Sequence, residues 1–399
     1  MPFEFNFYSS LLLIFFVHGF VYAFLFFRKA WQNQSASDGW MGFYLLMCIL
    51  YICPWMLGFA GWYDGLSCLE CRNFLFYMPT QHTLLMGPVV YFYVRTKLEP
   101  KFSFKRKDAL HFIPGLLYVL WSIVVAVTDR IVLKAYVLMD GQTDPDFQTW
   151  YQAAGLLSFM MYLFISLRFY NQYRQFIVQE LSFADAISFK WVRNFLLACI
   201  VYFLMTIIME CISLIFGGLN YTGTWWYFLL FALTFYYIAI NAYSSSLETR
   251  KVFELDFLRY QPQLMPPQVP VVEDASHEVV TTSIKASDEI DEWRSKLAAL
   301  VAEQCLYQDP ELSLSQLAKA LNTNPSFLSR IINQSFGMNF NDYINQQRVA
   351  EVVARLEKGD QAQFTIMSMA YDAGFNSKAT FNRAFRKFTG KNPSDYVQS

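Results

Sequence analysis

The sequence predicts an all-α protein in two parts: a seven-transmembrane-helix bundle, then an all-helical domain with two helix–turn–helix units. Three observations carry that expectation. Only 16% of the 399 residues are charged and 19% are aromatic, with mean hydropathy +0.25, where soluble domains carry roughly a quarter charged residues. Apolar runs long enough to cross ~30 Å of hydrocarbon as helix recur up to residue 246 and then stop. From residue 288 the composition becomes that of a soluble domain, and one helical unit occurs twice. The apolar content excludes a disordered chain, and seven cysteines in this length are too few for a disulfide scaffold.

The membrane segments are 7–27, 40–61, 73–95, 109–128, 148–168, 192–216 and 224–245. Pro114 interrupts the fourth, and scattered polar residues dilute the fifth. Basic residues in the connections set the orientation. Alternate loops hold twelve of them: Arg28 and Lys29, six between residues 95 and 107, and Arg168, Arg174, Lys190 and Arg193. The other loops hold Arg72, Arg130 and Lys134. The positive-inside rule places the twelve in the cytoplasm, with the N-terminus outside and the C-terminus inside, the parity that seven crossings require. Glu4 precedes the first segment and Arg28-Lys29 follow it, the reverse of a signal peptide, so it reads as a membrane helix.

Residues 247–260 set Leu247, Phe253, Phe257 and Leu258 among charged neighbours and read as a juxtamembrane helix. Residues 261–287 hold four prolines and little apolar periodicity. They predict a flexible tether with a reach of ~30 Å.

The tail, 288–399, opens with a helix over 288–305 patterned by Ile290, Trp293, Leu297, Leu300 and Val301. Ser313 caps a short helix whose Leu314, Leu317, Ala318 and Leu321 fall at i, i+3, i+4 and i+7. Asn324-Pro325 opens the next, which buries Leu328 and Ile332 and stops at Gly337. A long helix over 341–358 ends at Gly359. The short unit then returns: Thr365 caps Ile366, Met369 and Ala370, Gly374 turns, Ser377 opens 378–389, and Gly390 stops it. Asn392-Pro393 begins a last turn. A plain helical bundle would need the same apolar spacing. The repeat, together with a one-sided basic face of Lys378, Arg383, Arg386, Lys387 and Lys391, favours nucleic-acid binding.

Over about 285–399 these residues resemble the AraC/XylS family of bacterial transcription regulators. The most specific stretch is 366–396, with Ala370, Gly374-Phe375, Phe381, Arg383, Phe385, Lys387, Gly390, Pro393 and Tyr396 in place. The first unit is similar through Leu317-Ala318, Leu328, Arg330, Gly337, Tyr343 and Arg348. Val352 stands where the family usually has Ala, and Val397 where it has Arg. The resemblance implies two recognition helices in successive major grooves of promoter DNA. Ser326, Ser329 and Arg330 would read bases in the first unit, and Lys378, Ala379, Asn382 and Arg383 in the second. The latter four, at i, i+1, i+4 and i+5, share one helix face. Arg386 and Lys387, one turn on, are better placed for phosphate. More weakly, residues 171–194 are similar to the third inner loop of seven-helix, AraC-tailed regulators of Bacteroidetes-type bacteria. This implies a bacterial inner membrane protein with its C-terminal domain in the cytoplasm.

Charge separates the two units. Residues 361–399 carry net +3 and residues 288–360 net −4, so phosphate attraction should come mainly from the second.

Within the membrane part, His18, Gln81, His82 and Glu210 are the polar residues that form a candidate ligand pocket. Ionisable groups in lipid cost a few kcal/mol and point to function. The alternative is that Glu210 and His82 simply hold helices together. Cys68 and Cys71, in the first outer loop, are candidates for a C-x-x-C disulfide. Cys48, Cys53, Cys199 and Cys211 read as buried small apolar residues.

No H-E-x-x-H, G-x-S-x-G or phosphate loop occurs, so neither an enzyme, a metal site nor a cofactor is expected. The reading is a one-component transcription regulator in the lipid bilayer, sensing an unknown small-molecule or lipid signal. A homodimer would raise the effective concentration of two tails on one site. The alternative is a transporter-like protein whose tail couples substrate flux to transcription, which an uptake assay in vesicles would separate.

Overall fold

The computed structural model describes residues 3–63, 68–99, 102–139, 144–182, 190–216, 221–248 and 279–397. Among them the extended pairing is limited to an isolated antiparallel bridge between Leu181 and Ser313; the rest is helix and loop. The chain divides into two compact units, Met1–Asn171 with Phe189–Leu255, and Gln172–Ser188 with Asp256–Ser399.

The first unit begins with α1 (Phe7–Asn33), capped by Asn6, whose side chain accepts the Ser9 N–H. Gln34 turns in the left-handed region and Ser35 caps α2 (Ala36–Leu57). The two helices pack closely because Gly19 has no side chain: a Cβ there would lie 2.7 Å from Ile49 Cγ1. Beyond them come α3 (Leu69–Tyr77), α4 (Thr83–Leu98), α5 (Ile113–Ala126), α6 (Thr149–Glu180), α7 (Lys190–Phe216) and α8 (Trp225–Glu248). Pro114 sits in the first turn of α5, where the missing N–H costs nothing. Among the described residues, six helical stretches are long and apolar enough to cross a membrane: Phe7–Asn33, Ala36–Trp62, Arg106–Val132, Thr149–Glu180, Lys190–Ile215 and Tyr221–Ser245. The helix of α5 turns Leu116, Leu117, Leu120 and Trp121 outward, a face that lipid, not water, would cover.

One expected span departs from the sequence reading. The 73–95 segment is divided into α3 and α4, and α4 has only 16 residues, about 24 Å of helix. Pro79 lies in the break, and the following amides take a side-chain partner instead of a helical carbonyl. The Thr80 and Gln81 N–H groups donate to Asp146 Oδ2 at 2.8 and 2.9 Å, and Tyr118 Oη donates to Asp146 Oδ1 at 2.6 Å. A buried carboxylate that accepts several such bonds fixes the extended stretch.

The second unit contains α9 (Val279–Glu303), α10 (Leu314–Ala320), α11 (Pro325–Phe336), α12 (Phe340–Glu357), α13 (Ile366–Asp372), α14 (Lys378–Thr389) and α15 (Pro393–Val397). The expected tether is overturned at its end: α9 starts at Val279, so 279–287 are helical. All four prolines of that segment precede residue 279, and nothing after them interrupts helix propagation. The rest of the tether and most of the juxtamembrane helix, 249–278, lie outside the described residues.

Local signals set the tail's boundaries. Ser313 and Gln316 form a reciprocal capping box. The side chains of Asn324, Asn339, Thr365 and Ser377 cap α11, α12, α13 and α14. Two cores result. Leu297, Val301, Leu317, Leu328, Ile332, Tyr343 and Ile344 fill the first, and Val352, Met369, Phe375, Phe381 and Phe385 the second. Residues of α12 enter both, its first half one and its second half the other.

Candidate nucleic-acid interface

α11 and α14 each present a polar face away from its core. On α11, Ser326 and Arg330 are exposed and Ser329 half-buried. The Arg330 guanidinium lies over the Phe327 ring, 5.2 Å from its centroid. On α14, Lys378, Ala379, Asn382, Arg383, Arg386 and Lys387 are all exposed, while Phe381, Ala384 and Phe385 turn inward. This alternation follows from the i, i+3, i+4 spacing of the apolar residues. Partial burial holds the Arg383 guanidinium below the ordinary arginine range. Lys387 already has an ion pair, its Nζ 2.7 Å from Asp342 Oδ1 at the start of α12, so it ties α14 to α12 as well as facing outward.

Sequence reasoning named Arg348 only as part of the family resemblance and did not foresee that it is a buried polar group. Arg348 is 1% exposed. Its Nε donates to the Tyr307 carbonyl and its Nη2 to the Asp309 carbonyl, both at 2.7 Å. Its guanidinium also lies 5.7 Å from the Phe375 ring centroid. Burial pulls this guanidinium down to about 10, so it stays charged at neutral pH. Arg355 bridges Asp360 and Asp372 at 3.2 and 3.0 Å, and those bonds raise it above the ordinary arginine value. A charged residue on the inward stripe of a helix pattern was the available signal for Arg348. Its carbonyl partners lie about forty residues away.

The membrane candidates do not all converge. Glu210 lines a cavity of about 260 Å³ with Tyr51, Thr83, Gln152, Tyr202 and Thr206. Gln81 is buried beside it, accepting from Gln152 Nε2 at 3.5 Å. His82 precedes α4, its Nδ1 buried without a hydrogen-bond partner among the described residues. No ion pair joins it to Glu210 among those residues. His18 lies elsewhere, its Nδ1 2.8 Å from the Ile14 carbonyl and its ring edge-on to Tyr236. Cys68 and Cys71 are disulfide-bonded at the start of α3. Cys48 and Cys199 are buried and Cys53 half-buried. Cys211 corrects the sequence reading, because its place on α7 leaves it exposed.

Residues 317–399 match a family model described as a helix-turn-helix domain, which agrees with the capped pairs α10–α11 and α13–α14. The tail is therefore a helix–turn–helix domain of the transcription-regulator class. It is 33% identical over 91 residues to an uncharacterized HTH-type transcriptional regulator of Staphylococcus aureus (strain COL), covering 23% of this chain and 12% of that protein. It is 29% identical over 90 residues to the uncharacterized HTH-type transcriptional regulator YtdP of Bacillus subtilis (strain 168), covering 23% and 11%. The chain thus spans about an eighth of the length of these curated relatives. A solved structure of a protein of unknown function from Listeria innocua aligns with TM-score 0.23 and 25% identity, over 26% of this chain and 93% of that one.

Proposed function

We propose that this chain is a one-component transcription regulator embedded in the bacterial inner membrane, which senses a signal through its apolar helices and binds promoter DNA through its tail. The observation that carries the reading is the pairing, in one chain, of six long apolar helices with two exposed, capped recognition-type helices, one of them basic. In this proposal α4 makes a seventh crossing, with the N-terminus outside. Ser326, Ser329 and Arg330 read one major groove, and Lys378, Ala379, Asn382 and Arg383 the next. Arg386 and Lys387 meet phosphate, and homodimers bring two tails to one promoter. The test is chromatin immunoprecipitation with sequencing of the full-length chain. Discrete peaks containing two half-sites about one DNA turn apart are expected; peaks no sharper than those of an Arg383→Ala control would defeat the proposal.

Two further results are expected. Arg386→Ala should weaken binding about equally on all sequences and lower the salt slope of log K by about one, as befits a phosphate contact. Anisotropy titrations from low to high salt would measure this. Glu210→Gln keeps the shape of the side chain and removes its charge from the 260 Å³ cavity. It should shift the chain's transcriptional response, and a transcriptome identical to the parent's under every condition tried would sink its role in sensing.

A further inference from the structure

We propose that residues 172–182 are a docking strap, which holds the first helix–turn–helix unit to the end of α6 and makes the third inner loop, rather than the tether alone, the link through which the DNA-binding domain is positioned. This rests on the proposed membrane reading and goes beyond it by naming the element that regulates the tail.

The second compact unit takes in Gln172–Ser188 as well as the tail. An inner loop rich in basic residues should be solvated, yet one face of this segment is buried: Tyr173, Phe176, Ile177, Glu180, Leu181 and Ser182 are each at most 8% exposed. The spacing i, i+3, i+4, i+7, i+8 is that of a packed helix face. After the helix ends, the backbone is paired. The Ser182 N–H donates to the Leu312 carbonyl at 3.2 Å, Leu181 bridges Ser313, and Asn341 Nδ2 donates to the Leu181 carbonyl at 3.0 Å. Glu180 accepts from the Ser315 amide at 3.2 Å and from its hydroxyl.

Arg348 is the centre of the contact. Besides the Tyr307 and Asp309 carbonyls, it donates through Nη2 to Ser182 Oγ at 3.1 Å and through Nη1 to the Ser182 carbonyl at 3.4 Å. A buried guanidinium needs its partners, so removing the strap leaves donors without acceptors. Arg348 lies on α12, whose two halves enter both tail cores. A displacement of the strap therefore acts on the rod that carries both units. Ser326, Arg330, Lys378, Asn382 and Arg383 are exposed while the strap is in place, so docking leaves the reading faces open. It sets where the domain is held without covering the DNA-binding surface.

The test uses the full chain in isolated membranes, with a protease site inserted after Pro270. After cleavage the tail of the otherwise native chain should stay in the membrane pellet. Ser182→Pro, which removes the amide donor and the hydroxyl but lies outside the helix–turn–helix core, should lower retention at least about tenfold, the scale of one lost charge-assisted bond. Equal retention, or equal release, of the two chains overturns the strap. A second measurement does not depend on that variant's folding. In an antiparallel bridge the paired Cα atoms lie about 4.5–5.5 Å apart, within disulfide reach. Leu181→Cys with Ser313→Cys should therefore cross-link under mild oxidant and keep the cleaved fragments joined on a non-reducing gel, with neither single variant doing so. Absence of that bond overturns the proposal. Carbonate extraction of the uncut chain reports membrane insertion separately, and the cysteine pair reports the strap whichever way that result falls.

Discussion

Arg383→Ala is expected to abolish sequence-specific DNA binding, while Arg330→Ala only weakens it. Both side chains are exposed on the second helix of their unit, but the surroundings differ. Arg383 belongs to a segment of net +3, Arg330 to one of net −4, so the second unit supplies most of the attraction to phosphate. A bidentate arginine contact to a base is worth about 1–3 kcal/mol of discrimination. Specific binding exceeds non-specific binding by about 4 kcal/mol at the low end. Removing the stronger arginine therefore takes away most of that margin, whereas removing the weaker one leaves specific binding measurable. Affinities of both variants for a cognate and a scrambled duplex at one salt concentration measure the ranking, and equal losses would refute it.

Gly374→Ala is expected to lower the thermal midpoint of the tail's second unit more than alanine at any other positive-φ glycine of the tail. Gly374 has φ +96, and a Cβ there would meet the Tyr307 carbonyl oxygen and lie 2.7 Å from that of Gln308. The backbone strain alone costs about 1–2 kcal/mol. The carbonyls cannot yield easily, because that of Tyr307 accepts the Arg348 Nε bond, so a total near 3 kcal/mol or more is expected. At about 4–8 °C per kcal/mol for a domain of this size, the midpoint falls by at least about 12 °C. Gly337 and Gly390 also have positive φ, but a Cβ there would meet nothing within 4 Å. Alanine at either should cost only the strain. Thermal proteolysis of the tail in the full-length chain compares the three, and similar midpoints would show that the close approach at Gly374 carries no energy.

The tail was legible because its signals are local. Ser313, Asn324, Thr365 and Ser377 cap amides three residues away, and Gly337, Gly359 and Gly390 end helices in the left-handed region. Distances of that kind are visible in the order of residues. The third membrane segment was not legible as it folds, because hydropathy over 73–95 carries no trace of Asp146, whose carboxylate holds the Thr80 and Gln81 amides from 66 and 65 residues away. The strap was hidden for the same reason: Arg348 and Ser182 are 166 residues apart. Helical residues 279–287 lacked an apolar stripe and so looked like tether. For the candidate site, the reading positions on α11 and α14 came from spacing and family resemblance. The Lys387–Asp342 pair depends on how two helices cross.

α12 has a consequence for the genes such a protein could control. Eighteen residues of uninterrupted helix form a stiff shaft about 27 Å long, with one reading unit grown into each end. Lengthening the shaft by one residue would swing one unit by about 100° against the other. On the DNA side, adding one base pair between half-sites rotates them by about 35° and separates them by about 3.4 Å. If the two units read successive grooves as proposed, a single-base insertion between half-sites would remove a target while leaving every contacted base intact.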